Sequence, residues 1–190
     1  MKVLIACEFS GIVREAFRAQ GHDAWSCDLL PSEQPGPHFQ EDVLGRLNDG
    51  WDLMIAHPPC THLAVSGARW FKNKQQEQAD ALVFFAALLD APIERIAVEN
   101  PVGVVSTHIR QPNQIIQPWQ FGDPFQKTTC LWLKNLPSLV HTDIVDRGEF
   151  VTFKSGKRHP KWYADAMKLP PEQRRLARSK TFPGIAHAMA

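Results

Sequence analysis

The chain has no Cys-x-x-Cys pair, no Gly-x-Gly-x-x-Gly fingerprint and no phosphate-loop Gly-x-x-x-x-Gly-Lys-Ser/Thr pattern. Nor does any apolar run reach the roughly 18 residues that a membrane span requires. Each absence removes a class. Cys7, Cys27, Cys60 and Cys130 lie far apart in sequence, which suits reduced thiols in a cytoplasm and not a disulfide framework. The opening Met-Lys-Val-Leu-Ile-Ala-Cys-Glu meets an acid too early for a secretory leader and reads as a first strand. No membrane association is expected. Internal repeats and low-complexity segments are absent as well.

What is present fits a single globular domain of 190 residues, long enough for a sizeable core. Apolar residues make up 44% and charged residues 22%, the balance of a water-soluble fold. The net charge of +1 hides an asymmetry. Up to Asp146 there are 11 Lys/Arg against 17 Asp/Glu, a balance of −6; from Arg147 onward there are 10 against 3, or +7. An acidic body of about residues 1–134 with a basic segment over 147–190 is the layout expected when one face meets a polyanion. A solvated helical face explains such a basic end equally well.

Strands are expected at Lys2–Glu8, Ala24–Asp28, Asp52–Ala56, Arg95–Glu99 and Thr128–Leu133. Between them, helical spacing runs over Ile12–Ala19, with Ile12, Ala16 and Ala19 on one face and Gly21 as its cap. A second helix covers Gln75–Leu89, with its apolar face starting at Ala79. Leu30–Phe39 reads as a loop and Pro112–Pro124 as a loop or edge region. Beyond Leu139 the expectations are a short strand at Phe150–Lys154 and helical segments at Trp162–Lys168 and Glu172–Ser179. Strands alternating with helices predict an α/β fold with a mainly parallel, doubly wound sheet and a short, irregular basic extension.

The chemistry concentrates where strands end. Asp52-Leu-Met-Ile-Ala-His-Pro-Pro-Cys60 is a buried strand running into a Pro-Pro turn that presents a cysteine. Open α/β sheets gather ligands beyond the carboxyl ends of their strands. A thiol held there by backbone-fixing prolines is a candidate nucleophile, although free cysteines are also among the most buried residues. Glu99-Asn100-Pro101 ends another apolar strand, so Glu99 should emerge on the same edge as Cys60. A thiol and a carboxyl converging there suit covalent attack on a heteroaromatic ring, with Glu99 protonating or hydrogen-bonding a ring nitrogen. Burial is expected to raise the Glu99 pKa. Phe9-Ser10-Gly11 between the first strand and helix is a nucleotide-type turn, and Asp28 ends the second strand where an acid accepts ribose hydroxyls. Each of these two also has a plain reading, as an ordinary turn and an exposed acid. His57, Cys60 and His62 lack a fourth ligand, so no metal is expected. Trp162 and Tyr163, between Lys161 and Lys168, either stack on bases or pack in the core.

In order, Phe9-Ser-Gly11, Asp28, Asp42, Pro58-Pro59-Cys60, Glu99-Asn100 and Gln126 resemble the motifs of the DNA cytosine-5 methyltransferases. More narrowly, the chain is similar to short methyltransferase-like proteins of phages and prophages. The ending Thr181–Ala190 resembles the family's closing segment, which packs back near the cofactor. The resemblance implies a Rossmann-like methyltransferase sheet and S-adenosylmethionine as cofactor, lined by Phe9, Ser10, Gly11, Asp28, Asp42 and Pro59. It implies that Cys60 attacks C6 of cytosine and Glu99 engages N3, with Asn100, Gln126 and Thr128 contacting the substrate and the methyl group passing to C5. DNA is the implied partner, on a surface formed by Lys157, Arg158, Lys161, Arg174, Arg175 and Arg178.

Three positions depart from the family pattern. Gln126-Lys-Thr128-Thr-Cys130 lacks both arginines of the Gln-x-Arg-x-Arg segment, and His57 replaces a small residue before Pro-Pro. Only about Asn135–Ser179 is available for a recognition region, which leaves room for an accessory specificity partner. The alternatives are a cytosine-nucleotide enzyme with the same covalent chemistry, an amino-methyltransferase, and a non-catalytic nucleic-acid-binding protein on the same scaffold.

Overall fold

The computed structural model describes residues 1–153 and 156–190, with the side chain of Trp70 left aside. Its elements are β1 (Lys2–Ala6), α1 (Ile12–Ala19), β2 (Asp23–Asp28), β3 (His38–Gln40), β4 (Leu53–Ala56), α2 (Gln75–Leu89), β5 (Arg95–Asn100), α3 (Val105–His108), β6 (Gln114–Ile116), β7 (Thr129–Lys134), β8 (Phe150–Thr152), β9 (Arg158–Pro160), α4 (Lys161–Ala166), α5 (Pro171–Ser179) and α6 (Pro183–Met189). Seven strands form one sheet in the order β3-β2-β1-β4-β5-β7-β6. Strands β1 to β5 run parallel, and β7 lies antiparallel between β5 and β6. The chain leaves β1 toward β2 on one side and β4 on the other, so the strand order reverses at β1/β4. In open α/β sheets, the crevice at such a reversal is where ligands bind.

Alternate residues of the central strands feed two apolar clusters, one on each face. Leu4, Ala6, Met54, Ala56, Ile96 and Val98 pack with Phe85, Leu88 and Leu89 of α2. Val3, Ile5, Leu53, Ile55 and Ala97 pack with Val13, Ala16 and Phe17 of α1 and with Ala186 of α6. A strand buried on both faces needs apolar residues throughout, which is why β4 reads Leu-Met-Ile-Ala without alternation. Among the described residues, no helix is long and apolar enough to cross a membrane.

Several expectations shift here. The buried face of α1 is Val13, Ala16 and Phe17 together with Arg14, while Ala19 is exposed. The spacing rule found the helix but chose the face one residue off. On α2, Ala79 is exposed and packing starts at Ala81 and Leu82. The expected loop Leu30–Phe39 runs into β3, and the Pro-rich 112–124 stretch contains the edge strand β6. The expected strand Phe150–Lys154 is β8, shorter, with Lys154 outside the described residues. Thr181–Ala190 forms α6, whose inner face joins that of α1.

Candidate active site

Parallel pairing of β4 with β5 sets Ala56 beside Val98, so His57 and Glu99 follow on neighbouring strand ends. His57 Nδ1 lies 3.3 Å from Glu99 Oε2, and both side chains are largely buried. The Nε2 of His57 has no partner among the described residues. One residue further along β5, Asn100 is 1% exposed and its Nδ2 donates to the Pro58 carbonyl at 2.9 Å. Asn100 therefore braces the Pro-Pro turn against β5, while its Oδ1 stays buried without a partner among the described residues.

Beyond the prolines, the chain folds back at once. The Cys60 carbonyl accepts from Leu63 N at 3.1 Å and Ala64 N at 2.9 Å. The Cys60 loop is then fastened to the loop after Asn100, because Val65 N donates to the Val102 carbonyl at 3.0 Å and Val104 N to the Leu63 carbonyl at 2.9 Å. Gly103 makes this possible: a Cβ there would run into the Leu63 carbonyl. The Cys60 loop and the loop that follows Glu99-Asn100 are thus one unit.

Two cations act on this unit. Burial raises the Cys60 pKa first and the Glu99 charge raises it further, while Lys127 and Arg178 pull it down; the net shift is upward. Glu99 moves the other way. Burial pushes its pKa up, but the His57 hydrogen bond and the charges of Lys127 and His57 outweigh burial and hold it below the usual carboxylate range. This corrects the expectation that burial would keep Glu99 protonated, an expectation that left out the partners burial supplies. Lys127 Nζ donates to the Lys180 carbonyl at 3.1 Å. With Glu99, Thr129, Thr181, Phe182 and Ile185 it lines a narrow cavity, so the closing segment forms a wall beside Glu99.

The β1/β2 edge is acidic. Glu8, 5% exposed, accepts from Val13 N at 2.7 Å and Arg14 N at 3.3 Å, and Ser10 Oγ donates to it at 3.1 Å. The amino end of α1 is therefore filled by the chain's own carboxylate. Phe9 is buried, and Gly11 adopts a left-handed φ of 74° above the Arg14 guanidinium. Arg14, fully buried, donates to Ser26 Oγ, Ser32 Oγ and the Gln34 and Pro35 carbonyls at 2.9 to 3.1 Å. It fastens the 32–35 loop beneath the turn at the position where the sequence lacks further glycines. Asp28 Oδ1 accepts from Leu30 N at 2.9 Å and Asp42 Oδ1 from Leu44 N at 3.0 Å, which leaves the second oxygen of each as an acceptor. Both charges also act on Cys7, so they converge at the end of β1. A pyrophosphate is repelled by such a pair of carboxylate acceptors. A ligand carrying ribose hydroxyls and a positive charge suits it.

The remaining expected positions scatter. Pro59 is exposed beside Cys60. Thr128 Oγ1 accepts from Gln117 Nε2 at 2.7 Å, and the Gln126 carbonyl accepts from Trp162 Nε1 at 3.0 Å. Trp162 packs on Phe182, and Tyr163 lies between His159 and Arg178, so both aromatics are half-buried against neighbours of the closing region. Lys161 pairs with Asp165 at 2.9 Å, and Arg174 donates to the Leu169 carbonyl. Lys157, Arg158 and Arg175 are exposed, whereas Arg178 turns inward, near enough to act on Cys60. Lys127, Gly103, Arg14 and the His57 pairing were missed, because each depends on contacts between residues distant in sequence.

No protein-family model matches the chain, and no curated protein matches it by sequence. A crystal structure of an E. coli protein, proposed to be a DNA modification methyltransferase encoded within a prophage, is similar at 14% identity and a TM-score of 0.44. The match covers 78% of this chain and 57% of that one.

Proposed function

We propose that this chain is an S-adenosylmethionine-dependent methyltransferase that modifies cytosine at C5 in DNA through a covalent bond to Cys60. The proposal includes a Rossmann-like, doubly wound sheet, with which the strand order and the two apolar faces agree. The observation that carries the reading is the joining of the Cys60 loop to the loop that follows Glu99-Asn100 at one sheet edge, with Lys127 and Arg178 acting on the thiol.

The Cys60 thiolate adds to C6 of the ring, and N3 takes a proton as charge develops on the base. Because Glu99 is held ionised, that proton comes through the His57–Glu99 pair and not from a carboxyl that keeps its own. Lys127 and Arg178 favour the attacking thiolate. Asn100 and the Gly103 contact hold its loop in place. S-adenosylmethionine, when bound, supplies an electrophilic methyl group, and the second oxygens of Asp28 and Asp42 would hold its hydroxyls and ammonium beside Phe9, Ser10, Gly11 and Pro59. After C5 gives its proton to water and N3 returns its own to the His57–Glu99 pair, the Cys60 sulfur leaves C6 with the electrons of the C–S bond and regains the thiolate form.

A free cytosine nucleotide is the second reading, favoured by the internal pairing of Lys161 and Lys168 with Asp165 and the hydrogen bonding of Arg174 to a carbonyl. Incubation with labelled S-adenosylmethionine and DNA, RNA or dCMP, followed by mass spectrometry of the base, separates the two. Label in 5-methylcytosine from DNA supports the first reading. Label only in the nucleotide supports the second, and N-methylated base overturns the covalent chemistry.

A further inference from the structure

An open cleft of about 630 Å³ lies between the turn carrying Trp119 and the segment leading into β8. Backbone bonds close its floor, since Trp119 N donates to the Phe125 carbonyl at 3.2 Å and Val145 N to the Trp119 carbonyl at 2.9 Å. Two arginines line it, each lying over an aromatic ring. The Arg147 guanidinium sits 5.0 Å from the Trp119 ring centre, and that of Arg158 sits 4.9 Å from the Phe150 ring centre. Neither guanidinium has an ion-pair partner among the described residues. Asp146, the one acid in the lining, is tied to its own turn through Gly148 N at 2.8 Å.

A ring beneath a guanidinium fixes its plane and leaves its N–H edges for bidentate contact with a phosphate. The same flat stacks accept an unpaired base, whose faces a duplex would hide. Gln126 lines this cleft, while its neighbour Lys127 lines the cavity at Glu99. Trp162 fixes that boundary through the Gln126 carbonyl.

We infer that the cleft between Trp119 and Phe150 holds an unpaired nucleotide of single-stranded DNA beside the target cytosine, with Arg147 and Arg158 gripping its phosphodiester. The assignment of the target rests on the reading given under Proposed function; the cleft's ligand chemistry stands on its own lining.

Fluorescence anisotropy of a labelled ten-nucleotide single strand containing one cytosine, over several salt concentrations and without methyl donor, tests this. Arg147→Ala/Arg158→Ala should weaken binding by roughly tenfold or more and lower the log–log salt slope by about 0.7, the share of one neutralised phosphate on a single strand. Phe150→Ala should cost roughly tenfold through lost stacking. Binding of dCMP and of S-adenosylmethionine should not change in either variant, and unchanged thermal midpoints would show that the folds are intact. Wild-type affinity and slope in the double arginine variant would overturn the inference, as would tighter binding of the matching duplex. A chain that binds as expected but never yields 5-methylcytosine keeps this inference and loses the catalytic reading. Methylation with unaltered affinity in the arginine variant does the reverse.

Discussion

Cys7 and Cys60 are the two half-buried thiols of the chain, both just beyond strands of the same sheet. Their surroundings differ in sign. Around Cys7 burial, Asp28 and Asp42 all push the thiol pKa up, and no cation opposes them. Around Cys60 burial and Glu99 push up, but Lys127 and Arg178 pull down. A sheet edge that is acidic at β1/β2 and mixed at β4/β5 can take a cationic, hydroxyl-bearing ligand on one side and form a nucleophile on the other. Position at a strand end is thus insufficient to set a thiol's surroundings; the charges delivered by distant segments set them.

The largest expected effect breaks the comparison outright. Cys60→Ser should abolish methyl transfer, by several orders of magnitude in initial rate, while Cys7→Ser stays within a few-fold of wild type. Next comes the joint between the Cys60 loop and the loop that follows Asn100. Gly103→Ala forces a Cβ against the Leu63 carbonyl, so stability should fall by about 1–3 kcal/mol, the range for overpacked sites. Turnover should fall more than S-adenosylmethionine affinity, as read by denaturant titration beside calorimetry.

Asp28→Asn sharpens the comparison from the acidic side. Losing one charged acceptor should weaken S-adenosylmethionine binding roughly ten- to a hundredfold, at about 1.5–3 kcal/mol for a charged hydrogen bond. Alkylation of Cys60 should stay the same. The smallest effect is on the thiol itself. The pH midpoint for iodoacetamide alkylation of Cys60 should lie above that of an ordinary cysteine, because the net shift is upward. Glu99→Gln should move the midpoint down and Lys127→Ala should move it up, with peptide mapping reporting each cysteine separately.

Much of the sheet was legible because parallel strands buried on both faces leave continuous apolar runs, as in Leu53–Ala56 and Ile96–Val98. The helix Gln75–Leu89 was legible to the residue. Strand β3 was not, and β6 was legible only as a loop or edge region, since three-residue edge strands carry too little pattern to separate from loops. Strand-end reasoning placed Cys60 and Glu99 on one edge. It did not reach the ionisation of Glu99, which depends on His57 across a strand and on Lys127 from a later segment. Nor did the count of basic residues foresee their spending: Lys161 goes to Asp165 and Arg174 to a carbonyl, while Arg147, outside the expected surface, lines the cleft.

The central claim is a covalent bond between Cys60 and C6 of cytosine during methyl transfer to C5. Replacing the C5 hydrogen with fluorine removes the proton that must leave before Cys60 can depart. The most direct measurement is therefore the intact mass of the protein after incubation with S-adenosylmethionine and a single-stranded oligonucleotide carrying one 5-fluorocytosine. The account predicts a species heavier by the oligonucleotide plus one methyl group, mapped to Cys60 and missing in Cys60→Ser. An adduct that persists in Cys60→Ser, or efficient methylation of ordinary DNA with no adduct on the fluorinated strand, would contradict it.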